Sequence, residues 1–447
     1  MPRGRDPLDV WLYDTLVGRL SEPGRNRLRL DFTEEAEIRF GLGSAVLSAA
    51  LPIDTTKRPS GLAVRAFFAG LLPEGEARDQ IEREFDVARS DDFGLLAAIG
   101  RDCAGAIVLL PTGQLPIEPA GTLELLGAGE LETAIAGLAD KPLGADGTVR
   151  VSLAGLQQKL LLATDGDDHW GRPVNGYPST HILKPQDMRL AHYAVAEAFC
   201  LDLAGRLGLP ASRVLVIDVG ARPVLVVARY DRTVGHRGVE RIHQEDAAQA
   251  LSVDIRSGGS KYEADGGPSL RDFARLIAGV AGPEDVRQLL RLVTCNVIVG
   301  NADAHAKNVS LLHLRDGSSR LAPAYDLTPT TFYRRVPAAR GPRDLSDDLG
   351  MFVNSKRSVH EVTRDDLVAE GSSWGLITRD AQSVVVGALE AARVHVHDAA
   401  NFVGAPGAIL AFVEGRIDAL LDGRGANYKE RASSLDLGDI SSSPPST

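Results

Sequence analysis

Val299-Gly300-Asn301-Ala302-Asp303-Ala304-His305-Ala306-Lys307-Asn308, followed further along by Pro323-Ala324-Tyr325-Asp326, is the stretch on which the reading of this sequence turns. An Asp and an Asn at the interval D-x-x-x-x-N, with another Asp downstream, have the spacing of a kinase catalytic loop. In such loops the first Asp accepts the proton of an attacking hydroxyl, while the Asn and the later Asp hold magnesium against the phosphates. The migrating phosphoryl group carries spread negative charge, so positioning and metal-borne electrostatics dominate the catalysis. Asp303 is thus the candidate base, and Asn308 and Asp326 are candidate magnesium ligands. Two departures stand out: His305 occupies a place where many kinases carry Lys, and Leu327-Thr328 follows Asp326 instead of Phe-Gly, so regulation by a DFG-type flip is not expected. Taken alone, the string is also what a turn or a helix cap would show, because Asp and Asn favour both.

Companions elsewhere in the chain favour the chemical reading. Lys184 ends the apolar run His181-Ile182-Leu183 and is stopped by Pro185, as would a strand lysine that holds a nucleotide's phosphates. Glu197, on a helix expected over Leu190 to Leu207, shares a face with Leu190, Ala194, Leu201 and Ala204. A carboxylate on that apolar face needs a partner, and Lys184 is the candidate nearest in chain order. Ser152 and the Gly155 turn, inside an expected hairpin running from Thr148 to Ala163, could cover the phosphates with backbone N–H groups. A plain hairpin is the alternative. There is no GxxxxGK[ST], CxxC, HExxH or GxSxG string, which removes support for P-loop, zinc and nucleophile-elbow chemistry. His181, His192 and His243 read as structural or surface histidines.

The rest of the chain sets bounds. Its 447 residues, 44% hydrophobic and 24% charged, have the composition of a globular protein with room for two or three cores. Three scattered cysteines offer no disulfide framework. No apolar run reaches membrane-spanning length and the amino terminus lacks a signal-type core, so a cytoplasmic protein is expected. A formal charge of −11 disfavours nucleic-acid binding as the main task. Alternating strands from Leu8 to Phe40 and helical patterns over Leu62 to Phe85 and Asp91 to Ile99 form a module spanning 1–110, with 111–146 connecting. Strands dominate 147–232, helices 233–422, and 423–447 is too poor in apolar residues to repay ordering.

Many ordered motifs make the chain resemble HipA, the kinase toxins of bacterial HipBA toxin–antitoxin systems. They include Val10-Trp-Leu-Tyr13, Leu72-Pro-Glu-Gly75, Gly100-Arg-Asp-Cys-Ala-Gly-Ala106, Ser152-Leu-Ala-Gly-Leu-Gln157 and Thr180-His-Ile-Leu-Lys-Pro185. Further along are Ala228-Arg-Tyr-Asp-Arg232, Ile242-His-Gln-Glu-Asp246, Lys261-Tyr-Glu263 and the stretch quoted first. The resemblance implies an α+β fold: a bilobal, phosphatidylinositol-kinase-like domain with an amino-terminal α/β subdomain. It also implies ATP and Mg2+ as cofactors and a non-specific serine/threonine protein kinase activity. The expected target is a protein such as an aminoacyl-tRNA synthetase, with growth arrest and persistence as the outcome. Its expected partner is a HipB-like helix-turn-helix antitoxin, with DNA reached only through that complex. By the same inference Lys184 contacts ATP, Ala228 and Tyr230 lie at the adenine hinge, Gly155 and His305 belong to the nucleotide site, and Ser152 is autophosphorylated, switching the enzyme off. Ala228 replaces an acidic residue common there. A small-molecule kinase, or a catalytically silent partner of a DNA-binding antitoxin, are the alternatives.

Overall fold

The computed structural model describes residues 5–116, 121–139, 158–165, 169–235, 238–255, 259–335 and 345–426. The chain begins with β1 (Leu8–Leu12), β2 (Thr15–Gly24), β3 (Arg27–Phe32), α1 (Glu34–Phe40), α2 (Gly61–Gly70), α3 (Gly75–Glu84), α4 (Asp92–Ile99) and β4 (Ile107–Pro111). There follow β5 (Thr122–Leu125), α5 (Ala128–Ala136), β6 (Leu160–Thr164), β7 (Trp170–Val174), β8 (His181–Pro185), α6 (Tyr193–Arg206), β9 (Val214–Val219) and β10 (Arg222–Ala228). Next are β11 (Arg232–Gly235), β12 (Gly238–Arg241), β13 (His243–Asp246), α7 (Ala247–Ala250), α8 (Leu270–Val280), α9 (Pro283–Val299), β14 (Ser310–His313) and β15 (Ser319–Leu321). The last are α10 (Thr330–Arg335), β16 (Asp348–Val353), β17 (Lys356–Ser358), α11 (Arg364–Ser373), α12 (Thr378–Val403) and α13 (Gly407–Leu421). The fold is α+β. Among the described residues no helix is long and apolar enough to cross a membrane.

Two compact units divide the chain: Met1–Pro185 with Val226–Ser260 and Ser310–Arg320, and Gln186–Leu225 with Lys261–Val309 and Leu321–Thr447. In the first, an antiparallel sheet of order β3-β2-β1-β4 buries Leu8, Val10 and Leu12 beneath α2 and α4. Phe67, Phe68 and Phe93 fill that core, each contributing roughly 1.5–3 kcal/mol by leaving water. The strand reading holds to Phe32 but not beyond, because Thr33 accepts a hydrogen bond from Ala36 N at 3.2 Å and Glu34, Glu35 and Glu37 crowd the first turn of α1. That cap and its acidic turn end the sheet. The helical pattern over Leu62 to Phe85 is likewise two helices, broken where Pro73 precedes Gly75 at φ 55°. Asp91 caps α4 as expected, accepting from Gly94 N at 2.8 Å. The stretch read as connecting contributes β5, which pairs antiparallel with β7. β7 in turn pairs with β6, and β6 with β8.

The second unit is mainly helical around α12, which packs against α6, α9, α11 and α13. Helix α6 starts at Tyr193, later than the Leu190 the pattern gave, after His192 adopts a left-handed φ of 58°. Helix α9 opens on Pro283 at its first turn and stops at Gly300, whose left-handed φ of 74° suits glycine alone here. A Cβ on Gly300 would sit 2.6 Å from Thr331 Oγ1. The stop aims the chain straight into the segment quoted at the outset. Helices α7 to α13 make the later part of the chain predominantly helical, as read, but five short strands, β13 to β17, lie among them, their alternation too brief to register in the sequence.

Candidate active site

The loop after α9 is held at nearly every residue. Asn301 is its pivot: its Nδ2 donates to Asn296 Oδ1 at 2.8 Å and to Asp326 O at 3.3 Å, while its Oδ1 accepts from Asp303 N at 3.2 Å. One side chain therefore ties the end of α9 to both Asp303 and Asp326. Ala302 N donates to Thr330 Oγ1 at 2.9 Å, and Ala302 O accepts from Gly350 N at 2.8 Å. Asn308 folds back so that its Nδ2 donates to Asp303 O at 2.9 Å. This is the physical content of the D-x-x-x-x-N interval: the carboxamide nitrogen clamps the loop, and its oxygen is the atom left for a cation. Tyr325 O–H donates to Lys307 O at 2.8 Å and anchors the residue before Asp326 to the same loop. Asp326 itself has φ 52°, a left-handed conformation that Asp tolerates better than most residues.

Asp303 is reached by solvent, yet protein atoms surround its carboxyl closely enough that burial raises its pKa above the ordinary carboxylate value. The Asp326 carboxylate pushes the same way; the Tyr262 hydrogen bond, 2.9 Å to Oδ1, and the Lys261 cation oppose it. His305 is buried, its ring edge-on to Tyr262 with centroids 5.1 Å apart. Behind the loop, His305 and Asn308 border an apolar pocket with Leu292, Val293, Val297 and Met351. Among the described residues no cluster of three or more His, Cys, Asp or Glu forms a self-contained metal site. One carboxylate and one carboxamide oxygen beside a second carboxylate fit a cation that keeps waters and phosphate oxygens in its shell, as Mg2+ does.

Of the residues singled out from sequence, Asp303, His305, Asn308 and Asp326 are brought together in the second unit. Glu197 is in that unit too, buried on α6 at 2% exposure and not without a partner. Lys184, Ala228 and Tyr230 belong to the first unit. Lys184 is buried at the end of β8 and also engaged. Ala228 ends β10, and the Tyr230 hydroxyl donates to Gln244 Oε1, with burial raising its pKa. His243 is buried and structural, donating from Nε2 to Leu47 O at 2.7 Å. Ser152 and Gly155 lie outside the described residues. Sequence reasoning gave no role to Asn301, Tyr262 or Gly350. The first two sit inside quoted motifs, whereas Gly350 carries no local signal.

Comparison with known proteins adds a second line of support. The HipA N-terminal domain matches residues 8–110 and the HipA-like C-terminal domain residues 151–396. The Sinorhizobium fredii protein Y4mE is 36% identical over 371 residues, covering 80% of this chain and 83% of that one. A Shewanella oneidensis serine/threonine-protein kinase toxin HipA is 28% identical over 389 residues, covering 83% of each. The solved structure of a Shewanella oneidensis HipA, in a complex with HipB and its operator DNA, superposes with a TM-score of 0.74 at 26% identity, covering 93% of this chain and 99% of that one.

Proposed function

Because this chain belongs to the HipA family, we propose that it is an ATP-dependent serine/threonine protein kinase that acts as the toxin of a HipBA-type toxin–antitoxin pair. The observation that carries the proposal is the clustering of Asp303, Asn308 and Asp326 about Asn301, with the Asn308 amide closing the loop on Asp303 O at 2.9 Å. Asp303 receives the proton of a serine hydroxyl as its oxygen attacks the γ-phosphorus, the bond to the bridging oxygen breaks, and ADP leaves. The raised pKa of Asp303 suits a group that must accept a proton. Asn308 Oδ1 and the Asp326 carboxylate would hold Mg2+, which when bound neutralises charge across the phosphates. Lys184 takes phosphate oxygens, Ala228 and Tyr230 meet the adenine, and Glu197, Gly155 and His305 complete the nucleotide site. The target is a protein, in this reading an aminoacyl-tRNA synthetase or a similar translation enzyme. Autophosphorylation at Ser152 would end activity by adding roughly −2 charge beside the nucleotide phosphates. A small helix-turn-helix antitoxin is the partner expected by analogy with the Shewanella assembly.

The experiment incubates the full chain with labelled ATP and MgCl2, maps the label by mass spectrometry, and follows growth on induced expression. Label on Ser152 and growth arrest in the parent, both lost in Asp303→Gln at unchanged melting temperature, are the expected results. A fully active Asp303→Gln refutes the assignment of the base.

A further inference from the structure

Lys261-Tyr262-Glu263 lies well before the catalytic loop in sequence, yet it meets the loop and its supporting strand at three successive residues. Lys261 O accepts Ala306 N–H at 3.2 Å. Tyr262 O–H donates to Asp303 Oδ1 at 2.9 Å. Glu263 Oε2 accepts Phe352 N–H at 2.7 Å, on β16, the strand whose Gly350 N–H is bound to Ala302 O. The phenol ring is fixed as well, edge-on to His305 at 5.1 Å and with the Lys261 ammonium 5.6 Å from its centroid. A side chain fastened on both sides along the backbone and packed on its ring delivers its hydroxyl to one place, and that place is one oxygen of the candidate base.

We propose that Tyr262 is a positioning residue for phosphoryl transfer, holding Asp303 Oδ1 so that Oδ2 is presented to the incoming hydroxyl. The inference rests on the kinase reading and deepens it. A carboxylate rotates easily about its last torsion, whose wells are broad and two-fold. Proton acceptance needs an oxygen within about 2.6–3.2 Å of the donor in the right direction, so a fixed donor on the other oxygen removes a rotational search. In the step itself the substrate Oγ–H proton passes to Oδ2, the Oγ–P bond forms, the bond from phosphorus to ADP breaks, and ADP departs. Tyr262 keeps its own proton throughout. The opposite role, a bolt that occupies the base until substrate arrives, predicts a faster enzyme once the hydroxyl is gone.

Tyr262→Phe removes the hydroxyl and retains the ring against His305. The full chain, parent and variant, is followed by single-turnover autophosphorylation with labelled ATP and Mg2+ over a range of ATP concentrations, alongside thermal melting. A rate at saturating ATP lowered about 10-fold, with half-saturating ATP within about 2-fold and an unchanged melting temperature, is the expected result. An undiminished or faster Tyr262→Phe overturns this role alone, since the parent is then shown to be a kinase. A fall in rate matched by a proportional rise in half-saturating ATP also overturns it, because the hydroxyl would then serve nucleotide binding. Absence of label on the parent overturns the kinase reading and this inference together.

Discussion

Gly350→Ala is the sharpest test of how the candidate catalytic loop is held. A Cβ at this position of β16 would lie 2.8 Å from Ala304 C, 2.8 Å from His305 N and 2.9 Å from Ala304 O. Carbon atoms in good contact rest about 3.5–4.0 Å apart, so strand or loop must yield by roughly 0.6 Å or more. The neighbours are backbone atoms with no rotamer to change. The loop is tied at Ala302 N to Thr330, at Ala302 O to Gly350 itself, and at Ala306 N to Lys261 O. The displacement therefore falls on the residues between those ties, and Asp303 is among them. A misplacement of about 1 Å at a reacting group costs on the order of 100-fold in rate, and overpacking costs about 1–3 kcal/mol of stability. The rate of autophosphorylation at saturating ATP is compared with that of Gly279→Ala, a helical glycine in α8 whose added Cβ meets nothing within 4 Å. The control should gain up to about 1 kcal/mol from helix propensity and keep its rate. If Gly350→Ala retains half the parent rate, the loop is not held as argued.

Two further expectations concern stability. Arg416 on α13 is fully buried and donates to Val297 O at 3.0 and 2.6 Å, Ile298 O at 3.2 Å and Ala426 O at 2.5 Å. Arg416→Met should cost about 3 kcal/mol, near 1 kcal/mol for each carbonyl that loses its bond from the guanidinium, measured by urea unfolding with tryptophan fluorescence as reporter; a loss below about 1 kcal/mol contradicts it. His243 has no exposure, and burial first, then the neighbouring His313, hold its pKa down to about 3 against a pull upward from its bond to Leu47 O. Its folded value lies below its unfolded value of about 6.5, so the unfolded chain binds the proton first and stability is lost as pH falls from 6.5 toward 3. Between pH 7 and 5 the loss is about 2 kcal/mol. Thermal unfolding across that range should flatten in His243→Gln, and an equally steep parent and variant would remove the histidine as the cause.

What was legible in the sequence follows a physical rule. Asp303 and Asn308 are five residues apart and bonded to each other, so their interval is fixed by local geometry and can be read as a motif. The helix start at Asp91, which caps α4, is equally local. Tyr262 and Gly350 meet the loop from chain-distant segments, and no spacing rule reports such meetings. The overlong strand region after Phe32 failed for a different reason. Apolar residues near Phe40 continued the pattern by chance, while the deciding signal was the Thr33 cap and the carboxylates after it. Strands β13 to β17, each of three to six residues, are too short for alternation to stand out from the helical background.

The motifs Gly100–Ala106 and Ala228–Arg232, separate in the sequence, turn out to be two halves of one interior object in the first unit. Asp102 accepts from Arg232 Nη2 at 2.9 Å and Ser179 Oγ at 2.6 Å, with Arg241 Nη1 3.0 Å away. Asp231 accepts from Gly105 N at 2.7 Å and Arg229 Nη2 at 2.8 Å. Burial would raise the Asp102 carboxyl, but the guanidiniums of Arg241, Arg232 and Arg229 bring it down to about 2. Buried ion pairs are poor evidence of net stability, since apolar residues of equal volume often serve as well. They could not serve here. Arg229 Nη2 and Arg232 Nη2 also donate to Cys103 O at 3.0 and 2.9 Å, and Arg232 Nη1 to Gly105 O at 2.8 Å. Apolar side chains would leave those buried carbonyls without donors. The planar, multiply donating guanidinium is chosen for the backbone it holds as much as for the charge it meets: Arg229 and Arg232, on either side of Tyr230, tie the segment proposed to meet adenine to the backbone of Cys103 and Gly105.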